Sequence, residues 1–176
     1  MRTVDRDVVE EALSWAYSMA VKSPDPSSQN GAIIEAGCTS TGYSTAYGYN
    51  YIPEGVPQTY ENRRLKYQRI QHAERDAIFD AAKEGVITNG ATLYCPWASC
   101  RDCALAIICS GIEKVVVHKE RMAIDHANWD TSISEAWDWL RGAGIDIVSF
   151  SGRVDSNPIL ISGRRWSPRE LRFLDT

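Results

Sequence analysis

Long apolar runs are missing from this 176-residue chain. Nothing in it approaches the roughly 20 consecutive apolar residues that a bilayer crossing needs, and the segment from Met1 to Glu11 is charged and has no signal-peptide core. The expectation is an intracellular, cytoplasmic protein with no membrane partner. A strong charge of either sign is missing as well: 19 Lys+Arg against 23 Asp+Glu leave a formal −4. That balance offers no field to draw a long polyanion, so nucleic acid is a disfavoured partner, whereas a small anion held by a few local cations is not excluded. A disulfide framework is also absent, because five cysteines are an odd number and no export signal accompanies them. There is no internal repeat and no low-complexity linker. Those absences, with 44% hydrophobic and 24% charged residues, predict one globular domain over residues 1–176 that buries its own core, with a tail from about residue 151.

What is present alternates. Val8, Val9, Ala12, Leu13, Ala16, Tyr17 and Ala20 share one face of a helix predicted over Asp5 to Val21. Ser23-Pro24-Asp25-Pro26-Ser27-Ser28 stops it. Strands follow at Gly31 to Glu35 and Thr41 to Tyr49, expected to turn around Ala36-Gly37-Cys38. Asn50 to about Tyr60, with Pro53, Gly55 and Pro57, reads as a rim loop. The stretch from about Glu61 to Glu84 is helical in pattern and ends at Gly85. Beyond it the pattern gives a strand at Ala91 to Tyr94, a helix at Cys103 to Ser110, and a buried strand at Lys114 to His118. A helix at Ser132 to Leu140 and a strand at Ile145 to Phe150 complete the series. Five strands and at least four helices predict an α/β fold, a mixed sheet with helices on both faces. The tail, with Arg153, Arg164, Arg165, Trp166, Arg169 and Arg172, reads as solvated or as a subunit contact.

Two short motifs carry chemistry. His72-Ala73-Glu74 and Cys100-Arg101-Asp102-Cys103 supply one imidazole and two thiolates, the preferred ligands of Zn2+. Three protein ligands define a catalytic rather than a closed structural site, and zinc there lowers the pKa of a water to around 7. Helix N-terminal amides at the C-x-x-C pair help stabilise the thiolates. Glu74 lies two residues, about 200° of helix, from His72, so both can face one pocket only if the regular helix begins near His72. A break between Arg63–Gln71 and the helix proper is therefore expected. Glu74 would then be the catalytic acid and base, moving protons rather than holding metal. A structural zinc knuckle would need a fourth ligand, for which His118 and His126 are available but not at finger or ribbon spacing. Cys38, Cys95 and Cys109 read as small apolar packing residues.

With these residues in place, the chain resembles the cytidine-deaminase-like superfamily and, within it, the deoxycytidylate (dCMP) deaminases. The likeness runs from about Ala20 to His118. It takes in Ser23-Pro24-Asp25-Pro26-Ser27-Ser28-Gln29, Gly48-Tyr49-Asn50 with Pro53-Glu54-Gly55, Lys66-Tyr67, His72-Ala73-Glu74, Cys100-x-x-Cys103-Ala104 and Gly111-Ile112-x-Lys114-Val115-Val116. The resemblance implies a three-layer α/β/α sandwich around a mixed five-stranded sheet, one catalytic Zn2+ per chain, and hydrolysis of dCMP, or of a 5-substituted dCMP, to the dUMP and ammonia. It implies a homo-oligomer, a hexamer among the forms. Asn50 matches the family's sugar-contacting asparagine, and its amide both donates and accepts. For the 5′-phosphate, Lys22 and Ser23 at the first turn are the expected contacts. Three departures stand out: Ser99 replaces the family's proline before the first metal cysteine, Tyr51 replaces a glycine associated with nucleotide-triphosphate control, and the region with Trp129, Trp137 and Trp139 does not align. The alternatives are a deaminase of cytidine, guanine or transfer-RNA adenosine, and a non-catalytic assembly module stapled by zinc.

Overall fold

The computed structural model describes residues 5–39, 42–124 and 130–174. Helix α1 (Arg6–Ala20) opens on Asp5, whose carboxylate caps the amide of Asp7 at 3.1 Å. Strands β1 (Gly31–Thr39) and β2 (Gly42–Tyr49) pair antiparallel. The expected turn at Ala36-Gly37-Cys38 is corrected: β1 runs on to Thr39, which pairs with Gly42, with a register irregularity between Ala36 and Thr39. Helices α2 (Arg63–Arg69) and α3 (Ala73–Glu84) are separate, and Gly85 closes α3 in the left-handed conformation at φ 71°. Then come β3 (Thr92–Tyr94), α4 (Arg101–Cys109), β4 (Lys114–His118), the short α5 (Lys119–Met122), α6 (Asp130–Gly142) and β5 (Asp146–Phe150).

The main sheet has the order β2-β1-β3-β4-β5. It is mixed: β1 is antiparallel to β2 and β3, whereas β3, β4 and β5 are parallel. Strand alternation divides its side chains between two cores. Ala32, Ile34, Leu93, Val115 and Val117 meet Ala73, Ala77 and Ala81 of α3, Ala104 and Ile107 of α4, and Ala136 and Leu140 of α6. Ile33, Tyr94 and Val116 point the other way, against Val9, Leu13 and Tyr17 of α1.

Two glycines set how closely the helices lie on the sheet. A Cβ on Gly48 would stand 2.3 Å from Ala73 O and 2.4 Å from Ala77 N, and one on Gly31 would stand 2.1 Å from Ala16 O. The missing side chains let α3 and α1 press onto the backbone of β2 and β1.

The expectation of a solvated tail is corrected. Residues beyond 150 build a second sheet, β6 (Ile159–Ile161), β7 (Arg164–Ser167) and β8 (Arg172–Phe173), in that spatial order. Val154, Ile159, Ile161 and Trp166 are buried against α1 and Phe150, so this sheet shares the layer that α1 occupies. The arginines do face outward, and Arg172 pairs with Glu170. Trp129 and His126 lie outside the described residues. Among the described residues, no helix is long and apolar enough to cross a membrane.

Candidate active site

The break between α2 and α3 positions the first motif. Ile70, at the end of α2, is extended with ψ 128°, and Gln71 exchanges backbone hydrogen bonds with Tyr51 at 2.8 and 3.1 Å. That bridge sets His72 as the N-cap of α3, itself extended at ψ 153°, and puts Glu74 in the first turn. Cys100 is likewise the N-cap of α4 at ψ 173°, and Cys103 follows within its first turn. Two helix starts thus converge, and their unpaired amides favour negative charge between them.

His72 Nδ1 lies 3.5 Å from the sulfur of Cys100 and 3.5 Å from that of Cys103. The three ligand atoms all lie within 4.8 Å of one another. Among the described residues no fourth His, Cys, Asp or Glu joins them. His118, one alternative for a closed site, lies on the other face of the sheet, where its Nδ1 meets Tyr17 Oη at 2.6 Å. A hydrogen bond from the Cys103 thiol holds Cys100 down at about 3, assisted by His72 and opposed by burial. The same hydrogen bond, with burial, pushes Cys103 well above the usual thiol range. Left to themselves the two sulfurs therefore share one negative charge. A divalent cation with a taste for sulfur and imidazole is what ionises the second, so the donor set fits Zn2+. Burial would lower His72, but the Cys100 sulfur and Glu74 outweigh it and raise it. Glu74 is 2% exposed, and burial raises its carboxyl above the ordinary range against the pull of His72 and of the Ser99 hydroxyl.

These groups open on a cavity of about 390 Å³. His72, Glu74 and Cys100 line it together with Asn50, Trp97 and Arg121. Arg121, 4% exposed, stacks its guanidinium on the Trp97 ring at 3.9 Å. The opposite wall is organised by Asp25, whose carboxylate accepts from Lys66 Nζ at 2.8 Å, from the amides of Ser27 and Ser28 at 2.9 and 3.3 Å, and from Asn50 Nδ2 at 3.4 Å. An ion pair this deeply buried is tolerable only when its remaining lone pairs are satisfied, and here they are.

Asn50 lines the cavity as expected, but its bonding is more restricted than the sequence suggested. Nδ2 is engaged by Ser28 O at 2.8 Å and by Asp25, while Oδ1 takes the Asn30 amide at 2.7 Å and keeps one lone pair. The expectation for Lys22 and Ser23 is corrected. Ser23 is buried outside the cavity lining, its hydroxyl donating to Asn50 O at 2.6 Å and accepting from Asp25 N at 3.2 Å. Lys22 and Ser23 continue the last turn of α1 through bonds to Met19 O and Ala20 O, and Lys22 lines a different depression with Trp15, Tyr47 and Lys83. Sequence reasoning missed Asp25, Lys66, Trp97 and Arg121 as wall residues. Asp25 and Lys66 lay within quoted motifs, but nothing in their spacing said that they pair. Of the three packing cysteines, Cys95 is buried whereas Cys109 is exposed at the end of α4, a correction; the Cys38 side chain lies outside the described residues.

The sheet order and the two helix starts place the molecule in the cytidine-deaminase-like fold class. A dCMP deaminase from the cyanophage S-TIM5 superposes with a TM-score of 0.62, covering 84% of this chain and 100% of that one at 21% identity. The chain belongs to the cytidine and deoxycytidylate deaminase family, whose zinc-binding region matches residues 6–119. An uncharacterized deaminase in the luxG 3′ region of Aliivibrio fischeri is 31% identical over 72% of this chain and 82% of its own length. The Homo sapiens deoxycytidylate deaminase is 32% identical over 64% of this chain and 65% of its own, and that of Enterobacteria phage T2 is 42% identical over 44% and 37%. The family binds zinc, and the His-Cys-Cys group is placed for an ion.

Proposed function

We propose that this chain hydrolyses the exocyclic amine of a deoxycytidine monophosphate, converting dCMP, or a 5-substituted dCMP, to the corresponding dUMP and ammonia. One observation carries the reading: three soft donors within 4.8 Å of one another, with a buried acid that is not among them, open into a cavity of small-molecule size. The relatives named deoxycytidylate deaminases support the nucleotide, and the formal charge of −4 speaks against a polynucleotide.

In this reading His72, Cys100 and Cys103 hold the zinc ion. Zinc, when bound, supplies the Lewis acidity that makes water a nucleophile near neutral pH. Glu74 takes a proton from the attacking water on its carboxylate and delivers it to N3 of the pyrimidine as the C4–O bond forms. It then carries the second water proton to the amine as the C4–N4 bond breaks. Burial, by raising the Glu74 carboxyl, makes it a competent donor as well as an acceptor. The spare lone pair on Asn50 Oδ1 accepts from a sugar hydroxyl. Ordering of the 23–30 loop by Asp25 and Lys66 keeps that wall in place without either residue touching the base.

A substrate panel of dCMP, 5-methyl-dCMP, deoxycytidine and guanine, assayed for ammonia release, tests the assignment. The monophosphates are expected to be preferred, and release from guanine alone overturns it. Glu74→Gln is expected to keep about one zinc per chain by metal analysis while kcat falls by roughly 10²–10⁴ or more. Undiminished turnover in that variant removes Glu74 from the mechanism.

A further inference from the structure

The second sheet reaches the cavity at one point. Ser162 and Gly163 join β6 to β7, both at positive φ, 52° and 75°, and Ser162 lines the cavity. Two central residues at positive φ are the pattern of a type I′ hairpin turn, which Asn, Asp and Gly fill best, so a serine at its first position is held in a sparsely populated conformation. Such outliers gather at ligand clamps, and this one is clamped. Gly163 N donates to Ser27 O at 2.8 Å, Ser162 N to Ser28 Oγ at 3.5 Å, and Gln29 and Leu160 bond each other twice at 2.9 Å. The hairpin is thereby fastened to the loop that carries Ser27 and Ser28, which line the same cavity.

The cavity lining holds the kinds of group that a nucleotide needs. His72, Glu74 and Cys100 mark the base end. Asn50, assigned to the sugar, bonds Ser28 O, and Ser28 adjoins Ser162. Beyond Asn50, the serines Ser27, Ser28 and Ser162 all line the cavity, joined through Gly163 N to Ser27 O and Ser162 N to Ser28 Oγ. Hydroxyls and a guanidinium are what a phosphomonoester dianion takes. Among the cavity cations, Lys66 is neutralised by Asp25 and Arg121 is buried and stacked on Trp97, whereas Arg63, also in the lining, sits exposed at the start of α2 with its guanidinium 5.6 Å from the centre of the Tyr67 ring. Residues 159–173 lie beyond the 6–119 region matched by the family's zinc-binding region, whereas Ser27, Ser28 and Arg63 lie within it.

We propose that the C-terminal hairpin is a specificity element, in which Ser162, with Ser27, Ser28 and Arg63, receives the 5′-phosphate of the substrate in place of the Lys22–Ser23 contact expected from the sequence. This rests on the nucleotide reading above. Because the hydroxyl acts on the phosphate and not on the reacting carbon, it governs KM for the monophosphate and leaves a nucleoside untouched.

The test is isothermal titration of the zinc-loaded protein with dUMP and with deoxyuridine, in wild type, Ser162→Asp and Ser162→Gly. Wild type is expected to bind dUMP at least about tenfold more tightly than deoxyuridine. Ser162→Asp, which sets an anion against the phosphate, is expected to weaken dUMP by about tenfold or more with deoxyuridine unchanged. Ser162→Gly satisfies the turn and keeps the fold, and is expected to weaken dUMP alone by a few-fold. Equal changes for both ligands, or none for either, overturn the inference while the nucleotide reading stands. A wild type that does not distinguish dUMP from deoxyuridine overturns the nucleotide reading itself.

Discussion

His118 has no part in the proposed chemistry, yet it is among the most enclosed polar side chains. It is 0% exposed, with Tyr17 Oη donating to Nδ1 at 2.6 Å and Nε2 donating to Gly152 O at 2.7 Å. Those partners suit the neutral ring, and burial lowers its pKa below the ordinary 6.5, an effect that outweighs Gly152 and Glu120. A depressed folded pKa means that below about pH 6.5 the unfolded chain takes up a proton that the folded one refuses. Stability from this residue is therefore full above that pH and is lost as pH falls through 6.5 toward the folded value. The stability advantage of wild type over His118→Gln, measured by urea unfolding, is expected to shrink on going from about pH 8 to about pH 5, by at most about 1.4 kcal/mol per pH unit. An advantage that is flat or grows toward acid would show that the ring is held protonated. His72, by contrast, was recognisable from sequence, because imidazole and thiolate declare their chemistry by residue type. Ser162 was not, since a serine hydroxyl acquires meaning only from what surrounds it.

At the level of elements, the site depends on where α3 begins and how closely it lies on β2. The expectation that the regular helix starts near His72 holds, and its cause is tertiary: Gln71 pairs with Tyr51 and so cannot join a helix. Gly48 is the other control. Gly48→Ala would drive a methyl into Ala73 O and Ala77 N and push the first turn of α3, with His72 and Glu74, away from α4. Gly31→Ala meets an equivalent obstacle, but at α1, on the opposite face. Each is expected to destabilise the protein by about 1–3 kcal/mol in denaturant unfolding. Only Gly48→Ala is expected to weaken zinc retention in a chelator competition. Equal zinc retention in both variants would show that the close approach of α3 does not govern the metal group.

For the molecule as a whole, the second sheet decides whether residues beyond 150 are an appendage. Trp166 is 2% exposed and packs with Tyr17 and His118, and Val154, Ile159 and Ile161 share that core. We propose one folding unit across the chain. Thermal unfolding followed by tryptophan fluorescence and by far-ultraviolet circular dichroism is expected to give coincident transitions. A separate early loss of tryptophan signal would make the C-terminal sheet an independent piece.

The sequence by itself determined the α/β alternation, most of the elements and the His72, Glu74, Cys100 and Cys103 set. Periodic burial and ligand chemistry are written residue by residue, and a short motif carries them whole. Only the tertiary structure decided that Asp25 pairs with Lys66, that Lys22 faces a different depression, and that an arginine-rich end folds into a sheet whose turn enters the cavity. The last of these was illegible because strands of two to four residues give no measurable alternation. Their ladders join residues only a few positions apart, but the bonds that seat the turn, Gly163 N to Ser27 O and Leu160 N to Gln29 Oε1, span more than a hundred positions, and no local pattern encodes those.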